Sequence, residues 1–282
     1  MFDIKKQVLA FSLMASLGIA ETAGLGFAEV DLVFPRSGTF GPMTLTPIVF
    51  AIQNPAAIDR LYPYIYYGLW PVDLPPGNQT LDSTLARQHL PNTTDTTGSV
   101  AFLEASIANT LNTENDWEFV WELDWTNCST SANETTSDGE PKVNLNHPWA
   151  GQSVRFTTKK GANQPNLTAL TADDKCGDAS ALAFNVTKTL EAQSGYYEGE
   201  KCAVLASPAP TPAPCKVSVS PAAASSISST LTAAQCAVPT PGISCPPKKG
   251  AATVNNAASQ LAWWAAGMLL VWNGAKTGSH LA

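Results

Sequence analysis

Asp116-Trp-Glu-Phe-Val-Trp-Glu-Leu-Asp-Trp125 alternates with a period of two. Trp117, Phe119, Trp121, Leu123 and Trp125 fall on one side of an extended chain, and Glu118, Val120, Glu122 and Asp124 on the other. Successive side chains of a strand point to opposite faces, so the segment is predicted to be a central strand with its aromatic row in the core. The alternative use of such a row is a platform on which flat indoles stack against sugar rings, and that use needs the same rings at the surface.

Similar short runs rich in Val, Ile, Phe, Tyr, Trp and Thr recur on both sides, separated by Pro, Asn and Gly clusters. Candidate strands are 29–34, 43–53, 62–70, 99–106, 116–126, 152–158, 180–187 and 201–205. Pro35, Pro42, Pro47, Pro55, Pro63, Pro71, Pro75 and Pro76 are expected to break any helix in the first third. Pro208-Ala-Pro-Thr-Pro-Ala-Pro214 is a stiff connector, and Ala222 to Gln235 is the best helix candidate, flanked by Cys215 and Cys236. The predicted fold is mainly β: an antiparallel β-sandwich-like domain over 29–245 with a short disulfide-stapled C-terminal helix.

Hydrophobic residues make up 44% of the 282, enough for a substantial core, whereas charged residues reach only 14%, against about 25% in ordinary globular domains. The net charge of −7 disfavours nucleic-acid and anionic-membrane partners, which need Lys/Arg patches. No basic residue lies between Arg87 and Lys142, while Asp95, Glu104, Glu114, Asp116, Glu118, Glu122, Asp124, Glu134, Asp138 and Glu140 do. The ordinary reading is a solvated acidic face, and the sharper one a loose Ca²⁺ site or a basic partner.

Lys5 and Lys6 precede the apolar run Val8 to Ala20, which is too short to span a bilayer and has the form of a signal peptide. Gly18-Ile19-Ala20 and Gly26-Phe27-Ala28 both fit the small-x-small cleavage rule, and the second is preferred, giving a signal peptide over 1–28. The apolar run Leu261 to Trp272 lies behind the small triplet Gly250-Ala251-Ala252 and a polar spacer, the order of a glycosylphosphatidylinositol signal with attachment at Gly250. The polar stretch Asn273 to Ala282 departs from that pattern and fits a terminal amphipathic helix instead. Residues 246–260 are expected to form a disordered stalk and 261–282 the hydrophobic terminal segment, so any membrane contact is expected through a lipid anchor only.

Asn-x-Ser/Thr sequons stand at Asn78, Asn92, Asn127, Asn133, Asn166 and Asn185, which places the chain on the secretory, N-glycosylating route. Cys128, Cys176, Cys202, Cys215, Cys236 and Cys245 are an even set, expected as three disulfides. Four of them crowd into 202–245 and are expected to bond mostly among themselves, leaving Cys128–Cys176 as a long-range staple. Zinc spacing is lacking, since there is no Cys-x₂-Cys pair.

No Gly-x-Ser-x-Gly elbow, phosphate loop or dinucleotide fingerprint occurs, so no cofactor and no catalytic residue is assigned. A mature chain starting at Glu21 or Glu29 lacks the N-terminal His of a copper brace. Glu122-Leu-Asp-Trp-Thr-Asn127 resembles the Glu-x-Asp-x-x-Glu strand of laminarinase-type glycosidases, but Asn127 stands where the second catalytic Glu is needed.

The segment Pro214 to Cys236 and the opening Val30-Asp31-Leu32-Val33-Phe34-Pro35-Arg36 resemble secreted ascomycete-fungal proteins grouped as domain of unknown function 7136. The resemblance covers about 29–245 and implies secretion, often with a lipid tail, and no reaction. The leading expectation is a non-enzymatic cell-surface or wall-associated glycoprotein with wall polysaccharide as its partner. The alternatives are a secreted glycan-active enzyme using Glu118, Glu122 or Asp124, and an effector-like protein binding another organism's surface.

Overall fold

The structure is a computed structural model that describes residues 24–73, 86–89, 100–176, 179–193 and 198–247. The chain runs through β1 (Gly26–Phe34), β2 (Thr39–Phe40), β3 (Leu45–Gln53), α1 (Pro55–Asp59), β4 (Tyr64–Pro71), β5 (Ala86–His89) and β6 (Val100–Ala108). It continues through β7 (Asn115–Asp124), β8 (Asn127–Thr135), β9 (Pro141–Asn146), β10 (Trp149–Thr158), α2 (Leu167–Leu170), β11 (Ser180–Glu191), β12 (Lys201–Leu205) and α3 (Pro221–Ala237). One five-stranded sheet has the order β12-β11-β1-β3-β6, a second β2-β10-β7-β4-β5, and β8-β9 form a separate hairpin. Pairing is antiparallel except for the short β2–β10 contact.

All eight expected strands form. β7 holds Trp117, Phe119, Trp121 and Leu123 in the core, each at most 4% exposed, so this row is not a surface platform. The Trp121 ring meets Phe50 of β3 edge to face at 5.3 Å, and Phe119 stacks on Tyr67 of β4 at 5.8 Å. Both buried indole N–H groups are satisfied: Trp117 donates to Thr158 Oγ1 and Trp121 to Ser180 Oγ.

β1 is buried on both faces. Val30, Leu32 and Phe34 point to the sandwich interior, and Glu29 and Asp31, both at most 1% exposed, point the other way. That outer face of the first sheet is roofed by the segment following β12 and by α3, whose Ile227 and Leu231 are buried. Gln53 Nε2 donates to Glu29 Oε1 at 3.2 Å and to Asp31 Oδ2 at 2.9 Å, and the Ala213 N–H donates to Glu29 Oε2 at 2.6 Å. The Pro-rich connector is therefore strapped to β1 through a buried carboxyl pair.

Three sequence expectations are corrected. Pro55 does not prevent a helix, because it occupies the first turn of α1, where its missing N–H costs nothing. The preceding Asn54 takes the left-handed conformation at φ 51° and donates from Nδ2 to the carbonyls of Leu25 and Phe27. The stretch 127–146, outside the eight candidate strands, forms the β8–β9 hairpin. The cysteines pair differently as well: Cys128 bonds Cys202 and Cys176 bonds Cys215, so the expected Cys128–Cys176 staple does not exist. Cys236 and Cys245 are also disulfide-bonded, and no described cysteine is free. The first bond ties the hairpin to β12, and the second ties the loop after α2 to the connector. Closing loops of 74 and 39 residues restricts the unfolded chain by about 4 kcal/mol each on loop-entropy grounds.

Burial, then hydrogen bonding and repulsion from Asp31, push the Glu29 carboxyl up to about 8, and burial raises Asp31 as well. The unfolded chain releases the Glu29 proton near the ordinary glutamate value of 4.5, so folding takes up a proton between that pH and about 8. The resulting stability is complete below the lower value and is lost as pH rises through the upper one. The melting midpoint is expected to fall by about 5 °C or more from pH 5 to pH 8, and Glu29→Gln to flatten that slope. A pH-independent wild-type midpoint in a fluorimetric scan refutes the assignment.

Candidate functional site

Because the aromatic face of β7 is spent on the core, its other face sets the outer surface of the second sheet. Register places Tyr64, Tyr66 and Trp70 of β4 opposite Asp124, Glu122 and Glu118 of β7. On the other side of β7, Trp149, Gly151 and Arg155 of β10 lie opposite Asp124, Glu122 and Glu118. One groove of about 270 Å³ runs over Tyr66, Gly68, Trp70, Val120, Glu122 and Asp124. A second, of about 200 Å³, lies among Tyr62, Tyr64, Asp124, His147 and Trp149. Asp124 borders both, so the two adjoin at that residue and mark out a trough along the sheet.

Gly68 of β4 lines the first groove, and Gly151 of β10 lies beside Trp149 and opposite Glu122. A Cβ on Gly151 would sit 3.8 Å from the Trp149 ring and 4.0 Å from Glu122 Oε2. The indole and the carboxyl therefore converge over the same bare backbone. Trp149 is 65% exposed, and a large apolar ring left in water beside a groove is unlike its buried neighbours. Trp70 Nε1 and Asp124 Oδ1 are shielded from solvent with no hydrogen-bond partner. His147 is fixed by a 2.9 Å contact of Nδ1 with Thr126 Oγ1.

Glu122 and Asp124 stand on the same face of β7, and Glu122 is raised above the usual carboxylate range by burial first and then by its interaction with Asp124. Glu118 is engaged elsewhere, in a 3.3 Å ion pair with Arg155 at the exposed end. Asn127 is not on β7 at all. The chain leaves that strand at Asp124 and Asn127 opens β8, opposite Asn146. The laminarinase-like pattern therefore lacks its single-strand geometry as well as its second Glu.

The other predicted sites are scattered. Asn133 and Asn166 are exposed, whereas Asn127 and Asn185 are half-buried on β8 and β11. Asn78, Asn92 and Gly250 lie outside the described residues, as do 1–23 and 248–282 with most of the expected signal peptide and stalk and all of the terminal segment. The acidic stretch divides between both sheets and the hairpin, where Glu134 pairs with Lys142 at 3.0 Å. Among the described residues no group of three or more His, Cys, Asp or Glu converges. Sequence reasoning missed Tyr64, Tyr66, Trp70 and Trp149. The signal was present in 62–70, where Tyr64, Tyr66 and Trp70 alternate with Ile65, Tyr67 and Leu69, but only the β7 pairing shows that the first set faces outward.

Fold and groove together define a disulfide-bonded antiparallel β-sandwich with an open aromatic trough on one sheet. Its family follows from the sequence: the profile of the domain of unknown function DUF7136 matches residues 23–245, and the chain belongs to that family. No curated protein and no solved structure matches it.

Two tryptophans separate core from surface. Trp121→Ala empties a fully buried site and is expected to cost about 3–5 kcal/mol, lowering the melting midpoint by about 10 °C. Trp149→Ala is expected to leave melting within about 1 °C of wild type, because surface substitutions stay within about 0.5 kcal/mol. Equal losses in the two variants contradict this division of the faces.

Proposed function

We propose that this protein is a secreted, N-glycosylated, fungal-type surface or wall-associated protein that binds extracellular polysaccharide along the trough of its second sheet. The observation that carries the reading is the placement of Tyr64, Tyr66, Trp70 and Trp149 along two adjoining grooves with the carboxyls of Glu122 and Asp124 between them. Sugar rings have apolar C–H faces that pack on aromatic rings, and equatorial hydroxyls that carboxylates accept from. Two adjoining grooves on the outer face of a sheet suit a polymer chain rather than an enclosed small molecule.

Binding is favoured over hydrolysis because the laminarinase-like pattern lacks its second carboxyl. A retaining glycosidase separates its pair by about 5–5.5 Å and an inverting one by about 6.5–9.5 Å. Asn127 stands in the place of that second group and opens β8 instead of lying on β7. The raised Glu122 is the one feature that supports the glycan-active alternative, since a general acid must hold a proton near neutrality.

Secretion is supported by the disulfides, which persist in oxidising compartments. β1 favours the earlier of the two cleavage rules. Gly26, Phe27 and Ala28 are paired with β11, and Ala28 is fully buried. A cut after Ala20 leaves the strand whole, and a cut after Ala28 removes its first three residues. Peptide mapping of the mature protein is expected to begin at Glu21 and to lack Leu261–Trp272, and phosphatidylinositol phospholipase C is expected to shed it from cells. Recovery of the apolar tail in the mature protein excludes the anchor.

The groove is tested by retention on insoluble β-glucan, chitin, cellulose and mannan, alongside a reducing-sugar assay. Wild type is expected to be retained on at least one polymer and to release no sugar. Trp149→Ala and Trp70→Ala should weaken retention about tenfold, equivalent to about 1.4 kcal/mol. Retention unaffected by both substitutions moves the site elsewhere, and sugar release abolished by Glu122→Gln makes the protein an enzyme.

A further inference from the structure

A second groove lies on the opposite side of the sandwich, beneath α3. Its volume is about 490 Å³, within the size range of ligand sites, and its walls are mostly apolar: Leu45 and Pro47 from β3, Leu167 from α2, Ile227 and Leu231 from α3. Asn166 lines the same groove. It is exposed and belongs to the sequon Asn166-Leu167-Thr168. Its side chain is also oriented: Oδ1 accepts from the Ala169 N–H at 3.1 Å to cap α2. That bond uses the oxygen and leaves Nδ2, the atom to which a glycan is joined, outside the cap.

We propose that the glycan on Asn166 folds back into this groove and packs its first sugar rings against Leu45, Leu167, Ile227 and Leu231, clamping α3 to the first sheet. The inference rests on the secreted-glycoprotein reading. Three observations support it. The attachment residue lines the groove, so the sugar is present at the high effective concentration of a tethered ligand and weak stacking suffices. Of the 17 residues of α3, only Ile227 and Leu231 are buried, so the helix has few contacts of its own and gains most from a buttress. Ser228 and Gln164 give the apolar walls a polar margin for sugar hydroxyls, and Gln164 is held there by donating from Nε2 to the Pro42 carbonyl at 3.1 Å.

The test uses the full-length protein secreted from a eukaryotic host. Thr168→Ala removes the sequon but keeps Asn166 and its capping bond, and Thr168→Ser keeps both. Glycopeptide mapping is expected to find Asn166 occupied in wild type. Relative to wild type and Thr168→Ser, Thr168→Ala should melt about 3 °C lower, exchange the amides of 221–237 several-fold faster and bind an apolar fluorescent dye. An occupied Asn166 with all three readouts unchanged in Thr168→Ala overturns the clamp. Glycans on Asn133 with Asn166 bare overturn the clamp alone, and a chain bare at every sequon overturns the glycoprotein reading with it.

Discussion

The contact on which this architecture depends is the burial of one face of β7 between the two sheets. Trp117, Phe119, Trp121 and Leu123 lose nearly all contact with water, and each such side chain contributes about 1.5–3 kcal/mol on burial. The ring contact of Trp121 with Phe50 carries that face onto β3 of the opposite sheet. Since a slip of one residue would turn every aromatic outward, the same burial fixes the register of β4 and β10 on either side. The outer surface is then determined residue by residue. Wherever β7 presents Glu122 and Asp124, its neighbours present Tyr66, Tyr64, Gly151 and Trp149.

The first sheet is organised differently. β1 is buried on both faces, yet it carries Glu29 and Asp31. Two carboxylates this close and this dry cannot both ionise, so one is held as the acid, bridged by Gln53 and by the connector's backbone N–H. The groups resolved as shifted among the carboxyls, Glu29, Asp31, Glu104 and Glu122, all move upward, with burial as the first cause in each. The molecule is thus built to be firmest in mild acid. The strap over β1 is the element most exposed to a rise in pH, and the Cys176–Cys215 bond next to it is its covalent backup.

The two faces of the sandwich consequently do different work. The outer side of the second sheet is left bare, with rings and carboxyls along an open trough. The outer side of the first is covered by the connector and α3. The disulfides follow this division, holding the polar hairpin and the connector, the two parts of the domain with the least apolar surface of their own.

The periodicity of Asp116–Trp125, the eight strand runs and the Ala/Ser-rich helix were all legible from sequence, because alternation and turn residues are local properties that burial of a single face imposes directly. The even cysteine set and the sequons were legible for the same reason. What the sequence left open was every relation between distant segments. The hairpin 127–146 has no alternating pattern because neither of its faces enters the main core, and it pairs through its backbone. Cys128 meets Cys202 because β8 lies beside β12, not because of any spacing. Tyr66 and Trp149 form one site only because both flank β7, and Glu29 and Asp31 are buried only because a connector some 180 residues later in the chain, reaching Glu29 through Ala213, is folded over them. The sequence by itself determined which residues alternate and which segments form the eight strands that build the core. The tertiary structure alone decided which outward faces meet, since side-chain convergence depends on strand order and register, and those are set by the summed burial of all the strands together.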